Sequence, residues 1–177
     1  MTNIGDWAVC LCSSLISINI SNSVKNIGNG AFSECKSLSK INIPSSVVNM
    51  NGNPFCDWNG DLHNESKAFV YEHQVLFNKD KTTLIAYRSK EKNYIIPNSV
   101  TNIGNRAFRG CKSLTKINIP DGVTHIGDEA FSWCESLTKI NIPDGMTHIG
   151  DEAFSWCENI PSKIQSDIIN RFGKEVF

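Results

Sequence analysis

A segment of 23 residues is repeated along the chain, and this repeat restricts the fold more than any other feature of the sequence. Asp121–Pro143 reads DGVTHIGDEAFSWCESLTKINIP, and Asp144–Glu158 repeats its beginning with a single change. Repeats of about 20 to 29 residues with apolar residues at fixed offsets are typical of solenoids, in which each repeat forms one coil. The same pattern recurs at Ser99–Pro120, at Ser23–Pro44, in shortened form at Ser46–Trp58, and over Ile4–Ser21.

The positions that stay apolar from repeat to repeat are predicted to point inward. The end of the repeat, Leu137–Ile142, alternates polar and β-branched residues, which predicts a half-buried strand that Pro143 terminates. Equivalent strands of successive coils would stack about 4.8 Å apart in a parallel sheet, so that each coil covers the next. In Asp121–Pro143 the inward positions are Val123, Ile126, Ala130, Phe131, Cys134, Leu137, Ile140 and Ile142.

The consensus Leu-x-x-Ile-x-Ile-Pro-x-x-Val-x-x-Ile-Gly-x-x-Ala-Phe-x-x-Cys resembles the BspA-like subclass of leucine-rich repeat proteins over nearly the whole chain. This subclass has Ile-Pro after the strand and an Ala-Phe-x-x-Cys corner, whereas ordinary leucine-rich repeats carry Asn at that turn. The resemblance implies a curved solenoid and a non-catalytic binding role, often at a microbial surface. It implies no particular ligand and no cofactor.

The expected fold is a β-rich α/β solenoid of leucine-rich-repeat coils with a parallel concave sheet, an inserted β-hairpin and a short C-terminal capping helix. We assign residues 1–177 to a single domain. Within it, residues 1–58 and 94–158 form the repeats, residues 59–93 form a hairpin-bearing insert, and residues 159–177 form the C-terminal cap.

The predicted hairpin consists of two apolar runs, Val75–Phe77 and Leu84–Tyr87, on either side of a polar turn. This run is similar to the hairpin-bearing long repeat of BspA-like proteins, although His73-Gln74 stands where that repeat has Asp-Gly. Insertions into solenoids map to one face and can form a binding face. A structural bulge that lets the solenoid bend is the alternative, and the sequence favours it.

The predicted C-terminal helix follows from Ile164, Ile168 and Phe172, which recur every four residues. Ser162 and Gln165 have the spacing of a capping box, and Gly173 suits the position just past a helix end. This helix is expected to close the open end of the core.

Seven cysteines are present, and five of them occupy one inward position of the repeat. A Cys at an inward position is best interpreted as a small buried hydrophobe. The odd count and the absence of a CxxC pair argue against disulfides and metal. Cys10 and Cys56 fall at a Ser position and are predicted to be exposed. The five inward residues are Cys12, Cys35, Cys111, Cys134 and Cys157.

Charge and hydropathy exclude two classes of partner. A formal net charge of −1 leaves no basic excess for phosphates, so we expect no nucleic acid partner. No apolar run approaches the roughly 18 residues of a membrane helix, so we expect no membrane insertion. The start of the chain has no signal-peptide pattern; the family resemblance alone suggests a secreted or surface location.

Aromatic residues at departures from the consensus are the first candidates for binding. Trp133 and Trp156 occupy a position that holds Leu11, Glu34 or Gly110 in other repeats, so the position is predicted to face outward. Two exposed Trp in register would form an anchor pair; the alternative is that they lie flat across the corner of the coil. The insert contributes the further candidates Tyr71, His73 and Tyr87.

Polar residues on the outward face of the strand form columns that are nearly uniform. Lys40, Lys116 and Lys139 are candidate binding residues, but uniform columns distinguish partners poorly. Asparagine columns can satisfy themselves through ladders between strands, and we interpret this one as structural. It comprises Asn19, Asn42, Asn118 and Asn141.

His125 and His148 also stack in adjacent repeats, and we interpret them as solvated surface residues because two imidazoles without further ligands make a poor zinc site. No residue is singled out as a nucleophile or base, so we expect no enzyme. The chain is therefore predicted to be a non-catalytic interaction or adhesion module with a protein or glycan partner. The alternatives are a structural spacer of a longer repeat protein and a hydrolytic enzyme.

The first repeat begins almost at Met1 without a visible cap. Solenoids need their end coils covered. Either the chain is a piece of a longer protein, which we favour, or Leu15–Ile20 is an edge strand open to edge-to-edge self-association.

Overall fold

The computed structural model describes all residues, Met1–Phe177, and shows a solenoid whose inner coils carry two short parallel strands, while the first and last coils carry only the first of the two. Numbered in chain order, the first strands of the coils are β1 (Asn3–Ile4), β2 (Asn26–Ile27), β4 (Asn49–Met50), β10 (Asn102–Ile103), β12 (His125–Ile126) and β14 (His148–Ile149). The second strands are β3 (Lys40–Ile43), β5 (Asp61–Asn64), β9 (Asn93–Ile95), β11 (Lys116–Asn118) and β13 (Lys139–Ile140). The predicted fold class is confirmed.

The second strands are those expected from the alternation in Leu137–Ile142, and equivalent residues pair in register, Lys116 with Lys139 and Ile117 with Ile140. The first strands were not predicted. Each is only two residues long, and alternation cannot be recognised over such a length. The coils therefore have one more line of backbone hydrogen bonds than the sequence indicated.

The insert forms a three-stranded antiparallel meander of β6 (Phe69–Glu72), β7 (Val75–Asn78) and β8 (Thr83–Tyr87). His73 and Gln74 form the two-residue turn between β6 and β7, and both have positive φ, 48° and 61°. This is the backbone expected of a type I′ hairpin turn, for which Asp-Gly is only the commonest solution. β8 continues into the solenoid by pairing in parallel with β10.

β5 lies inside the segment predicted as insert, yet it pairs with β3 in the same parallel register as the other second strands, Lys40 with Asp61 and Asn42 with His63. The coil pattern therefore continues to Asn64. The consensus letters are lost over this stretch, but the backbone keeps the geometry of the coil.

The meander separates two hydrophobic cores and has buried side chains on both of its faces. In β7, Val75 and Phe77 belong to the C-terminal core, whereas Leu76 between them belongs to the N-terminal core. β8 divides in the same way, with Leu84 in one core and Ile85 in the other. Burial on both faces explains why the run reads as continuous apolar sequence rather than as an alternation.

A column of aromatic rings fills the middle of each core. Phe108 and Phe131 stack with centroids 4.8 Å apart and planes at 13°, and Phe131 stacks on Phe154 at 5.4 Å and 5°. Tyr87 occupies the Phe position of the coil before Phe108 and lies 4.9 Å from it. Tyr87 is only 4% exposed. The prediction that Tyr87 belongs to a binding surface is therefore wrong, because its ring continues the column of the core.

Most inward cysteines are buried and donate their thiols to backbone carbonyls of the preceding coil. Cys134 Sγ donates to the Phe108 carbonyl at 3.1 Å, and Cys157 Sγ to the Phe131 carbonyl at 3.0 Å. All seven cysteines are free thiols. Cys56, predicted to be exposed, is buried, and burial raises the pKa of its thiol to about 12. The prediction failed because the next coil folds directly over this corner.

The two ends of the solenoid differ. At the C-terminus, helix α1 (Ser162–Phe172) and a 3-10 turn (Lys174–Val176) cover the last coil, and Phe177 adds a further ring 5.6 Å from Phe154. The expected capping box is absent: the N-cap is Pro161, and Gln165 donates instead to the Ile160 carbonyl. Gly173 ends the helix at φ 99°, a conformation that favours glycine. At the N-terminus no element covers the first coil, where Cys12 is exposed and Leu15 half-buried.

Candidate functional site

The paired tryptophans stand at the corner of the last two coils, where the backbone turns their side chains outward. Trp133 and Trp156 have φ of 62° and 61°, a left-handed conformation that bulky residues rarely adopt. The rings are 36% and 55% exposed and stack with centroids 4.7 Å apart and planes at 15°. Of the two arrangements open from the sequence, the structure has the exposed one. The pair forms a flat apolar surface two rings wide, which we call the Trp pair.

The Trp pair occupies a position that is left-handed in every regular coil. Its side chain varies freely from coil to coil while the core positions beside it stay constant. The occupants of this position are Leu11, Glu34, Asp57, Gly110, Trp133 and Trp156. A recognition surface requires side chains that can vary at a fixed, outward-facing position. At this corner position the residue type varies while the core residues stay the same.

The second strands carry the two polar columns on their exposed side, and neither column is continuous along the solenoid. Lys116 and Lys139 are exposed and directly paired. In the middle, Asp61 takes the place of Lys in β5, and in β9 the exposed Ile95 takes the place of Asn. The Lys and Asn columns are therefore interrupted between β5 and β9.

This interruption has a geometric cause. At the corner of the coil the backbone N–H of Asn53 donates to the backbone carbonyl of Asn105 (3.1 Å). One coil later the backbone N–H of Arg106 donates to the carbonyl of Asp128 in the same way. The third coil therefore lies directly on the coil of Asn105. On the other side an additional strand, β9, has been inserted next to β11, and β5 pairs only with β3. In the same way β8 is inserted next to β10, and β4 pairs only with β2. The coils therefore separate along both lines of strands, while they stay in direct contact at the corner.

The resulting gap is a cleft of about 690 Å³ between β5 and the segment that leads into β9, and we call it the central cleft. Only Leu62 and Tyr71 among its lining residues are hydrophobic. The other walls are polar or charged: Lys40, Asp61, His63, Gln74, Lys90 and Glu91, with Arg88 behind them. Two of the residues predicted from the sequence, Lys40 and Tyr71, are brought together here, while the exposed His73 lies beside them in the turn of the meander.

Arg88 is the most unusual residue of this cleft. Its guanidinium lies 4.4 Å from the centroid of the buried Trp58 ring, and it donates to the Gly60 carbonyl (2.6 Å) and to the Tyr71 hydroxyl (3.2 Å). Its Nε is buried without a hydrogen-bond acceptor. Burial lowers the pKa of Arg88 from its ordinary value. Neutral oxygens are thus the only acceptors of this charged group.

The two arginines of the neighbouring coil show the contrast. Arg106 forms an ion pair with Glu129, and Arg109 is paired with both Asp57 (2.9 Å) and Glu129 (3.2 Å). Both are half-buried, and both charges are compensated. Arg88 is equally enclosed and takes part in no ion pair. Its distinct environment could not be recognised from a sequence in which it is simply one of several arginines.

The histidine column lies away from the cleft. His125 and His148 are exposed on β12 and β14, with ring centroids 6.0 Å apart, and the Thr124 hydroxyl lies 2.8 Å from His125 Nδ1. No group of three or more His, Cys, Asp or Glu side chains is arranged to hold a metal ion. No helix of the molecule is both long and apolar enough to cross a membrane.

Comparison with known proteins supports the repeat assignment. A family model described as BspA type leucine rich repeat region matches six copies over residues 1–64 and 85–177. No curated protein matches the chain at a significant level.

The solved structures that resemble the chain include three in which the alignment spans only about half of the other protein's length. The pneumococcal vaccine antigen PcpA aligns at a TM-score of 0.76 and 22% identity over 90% of this chain and 47% of its own. A leucine-rich cell surface protein from Faecalibacterium prausnitzii aligns at 0.70 and 28% over 90% and 50%. A leucine-rich repeat protein from Eubacterium ventriosum aligns at 0.66 and 25% over 90% and 56%.

Proposed function

Since the chain belongs to the BspA-type leucine-rich repeat family, we propose that it is a non-catalytic interaction module that binds a protein or glycan partner through the Trp pair. The observation that carries this proposal is the stacking of two exposed Trp rings, 4.7 Å apart, on left-handed backbone. Large aromatic residues contribute the most contact energy per residue at an interface. Two exposed Trp rings lower the solubility of the protein, and they add no stability to its core.

The rigidity of the Trp pair favours binding. The two rings stack on each other, and the backbone N–H of Trp133 donates to the Ser155 carbonyl of the next coil at 2.9 Å. A surface that is already ordered loses little conformational entropy when a partner covers it. A protein with an apolar or proline-rich segment, or a sugar with an apolar ring face, fits such a surface.

An adhesion role at a cell surface is part of the same proposal. Its support is the 28% identity to the cell surface protein of Faecalibacterium prausnitzii. The six copies of a leucine-rich repeat that match the chain also support a binding role rather than a catalytic one.

The test compares two double variants of the same size. A library of displayed proteins and a glycan array are probed with the wild-type chain, with Trp133→Ser/Trp156→Ser, and with Lys116→Ser/Lys139→Ser as the matched control on the same two coils. We expect the Trp variant to lose at least tenfold in affinity, or about 1.4 kcal/mol. The Lys variant should change mainly the salt dependence and the association rate. Retained binding by the Trp variant together with loss in the Lys variant would place the site on the polar columns.

A structural spacer is the competing function, and the uniformity of Lys116 and Lys139 within their half of the solenoid favours it. A spacer should bind no ligand of either class through the Trp pair. Deletion of the meander cannot separate the two functions, because β7 and β8 supply residues to both cores. The double Trp variant changes only exposed side chains and does separate them.

Self-association through the first coil stays a prediction. The first coil has no neighbour on its outer side, and Leu11 and Ile16 there are 63% and 71% exposed. Sedimentation velocity of the wild type and of Ile16→Asp would test it. A concentration-dependent dimer that disappears in the variant would support the prediction, and a monomer at every concentration would contradict it.

A further inference from the structure

The central cleft is separate from the Trp pair, and its chemistry differs. The Trp pair is apolar and projects from the corner of the last coils. The cleft is recessed, polar and located where the solenoid is interrupted, between β5 and β9. A volume of about 690 Å³ lies within the range of sites for small ligands, roughly 300 to 1,000 Å³.

Arg88 determines the charge of the group that such a ligand would present. A guanidinium enclosed without an anionic partner is costly, because neutral oxygens compensate only part of its lost hydration. Arg88 also keeps donor capacity, since its Nη1 carries two N–H groups and donates only to the Tyr71 hydroxyl. Guanidinium and carboxylate match in shape and can form two parallel hydrogen bonds. A carboxylate is therefore the group that completes the environment of Arg88.

The remainder of the lining indicates how many charges the ligand carries. Lys40, Lys90 and His63 add positive or titratable groups, but Asp61 and Glu91 face the same space. A phosphate with nearly two negative charges would be repelled by these two carboxylates. A ligand with a single negative charge and several neutral hydroxyl groups satisfies both kinds of wall, because hydroxyls donate to Asp61 and Glu91 and accept from Lys40.

The lining also distinguishes a sugar from a peptide. Only Leu62 and Tyr71 are hydrophobic, so no apolar pocket is present for the side chains that usually give a peptide its affinity and specificity. Gln74, Asn59 and Ser89 instead offer further donors and acceptors at the rim. Sugars are dense in hydroxyl groups and need such residues.

We propose that the central cleft binds an acidic saccharide, a sugar of the uronic acid type, with its carboxylate on Arg88 and its hydroxyl groups on the polar walls formed by Lys40, Asp61, Gln74 and Glu91. The site exists because β8 and β9 are inserted between the two stacks of coils, so that β5 and β9 do not pair and the half-buried Arg88 lies at the gap between them.

The test is a titration of the full chain with glucuronic acid, followed by NMR. Trp58 is the local reporter, since its indole N–H donates to the Leu38 carbonyl (2.6 Å) and its ring lies against Arg88. We expect a saturable shift of the Trp58 indole resonance, with Trp133 and Trp156 unmoved. Glucose, which has the same ring without the carboxylate, should bind at least tenfold more weakly.

Three variants locate the site. Arg88→Gln, which removes the charge, should weaken glucuronic acid binding at least tenfold. Lys40→Ser and Gln74→Ala, both at exposed residues of the cleft, should each weaken it at least threefold, and they keep the test decisive if Arg88→Gln fails to fold. Lys116→Ser, in the same column as Lys40 but outside the cleft, is the control and should bind as the wild type does.

Three outcomes would overturn the proposal. The first is glucuronic acid that binds no better than glucose, and the second is binding that survives all three cleft variants. The third is preferential binding of a blocked glutamate-containing tripeptide, which would assign the cleft to acidic peptides. Loss of the Trp pair leaves all of these measurements unchanged, so the cleft can fail or succeed independently of the partner bound by the tryptophans.

Discussion

The first and last coils carry the same pattern of apolar positions, but these positions are buried in the last coil and mostly half-buried or exposed in the first. In the last coil Phe154 and Cys157 are 1% and 3% exposed, because α1 and Phe177 lie over them. In the first coil the equivalent Val9 is half-buried and Cys12 is exposed. The residue type at a position thus specifies whether the side chain points inward, while the presence of an adjacent coil or cap determines whether it is buried. In a solenoid, burial belongs to pairs of coils and not to the coil itself.

The comparison can be tested most directly with the two equivalent cysteines. Cys12 should react with a thiol reagent in the native protein, whereas Cys157 should react only when the last coil opens. Since opening a covered coil costs several kcal/mol, we expect roughly a thousandfold difference in labelling rate. Mass spectrometry of peptides from timed labelling would measure it. Equal rates would mean that the C-terminal cover is open much of the time.

Two equivalent leucines test the same comparison through stability. Leu137 is fully buried between coils, whereas Leu15 is half-buried at the open face. Leu137→Ala should lower the free energy of unfolding by about 3 to 5 kcal/mol through lost burial and a cavity. Leu15→Ala should cost about 1 kcal/mol, since much of its surface is already hydrated. Urea unfolding would show both, and similar losses would imply that the first coil is covered in solution.

Two equivalent glutamates extend the comparison to residues outside the core. Glu129 joins Arg106 and Arg109, whereas Glu152, one coil later, is exposed without an ion pair. Glu129→Gln should cost about 1 to 2 kcal/mol, because two half-enclosed guanidiniums lose their shared carboxylate. Glu152→Gln should stay within about 0.5 kcal/mol. If the two variants unfold at the same urea concentration, the ion pairs contribute no net stability.

The smallest effect concerns pH and the buried thiol of Cys56. Its pKa rises from 9.0 to about 12 on folding because burial disfavours the thiolate. The folded protein therefore keeps a proton that the unfolded chain releases, so this contribution to stability is complete below about pH 9 and is lost as pH rises toward 12. At pH 10 the loss is about 1.4 kcal/mol. Cys56→Ala should show a shallower alkaline decline than the wild type, and an unchanged slope would contradict the shifted pKa.

The fold could be predicted because the same pattern of apolar positions recurs in several coils. The β-branched alternation in Leu137–Ile142, the inward Phe131 and the helical spacing of Ile164 and Ile168 each depend on neighbours close in sequence or on the next identical coil. Such contacts can be worked out from one chain. The outward direction of the position of Trp133 and Trp156 was expected from its variability, whereas the choice between an exposed pair and rings lying flat across the corner stayed open.

The features that could not be predicted from the sequence all lie around the insert, where the 23-residue period is broken. Cys56 and Tyr87 were assigned to the surface, yet the direct contact of Asn53 with Asn105 buries the first and the aromatic column includes the second. The unpaired state of Arg88 and the interrupted columns at Asp61 and Ile95 depend on which strands become neighbours across an insertion. A contact between residues about 50 positions apart leaves no periodic signal.

The meander has a consequence for how the molecule unfolds. Solenoids often lose their coils piecewise, because each coil touches only its neighbours. In β7 the adjacent residues Leu76 and Phe77 belong to different cores, so neither core can melt without removing support from the other. The insertion that divides the stack thus couples its halves, and the chain is expected to denature in a single cooperative transition, with equal midpoints for fluorescence of Trp58 and of the Trp pair.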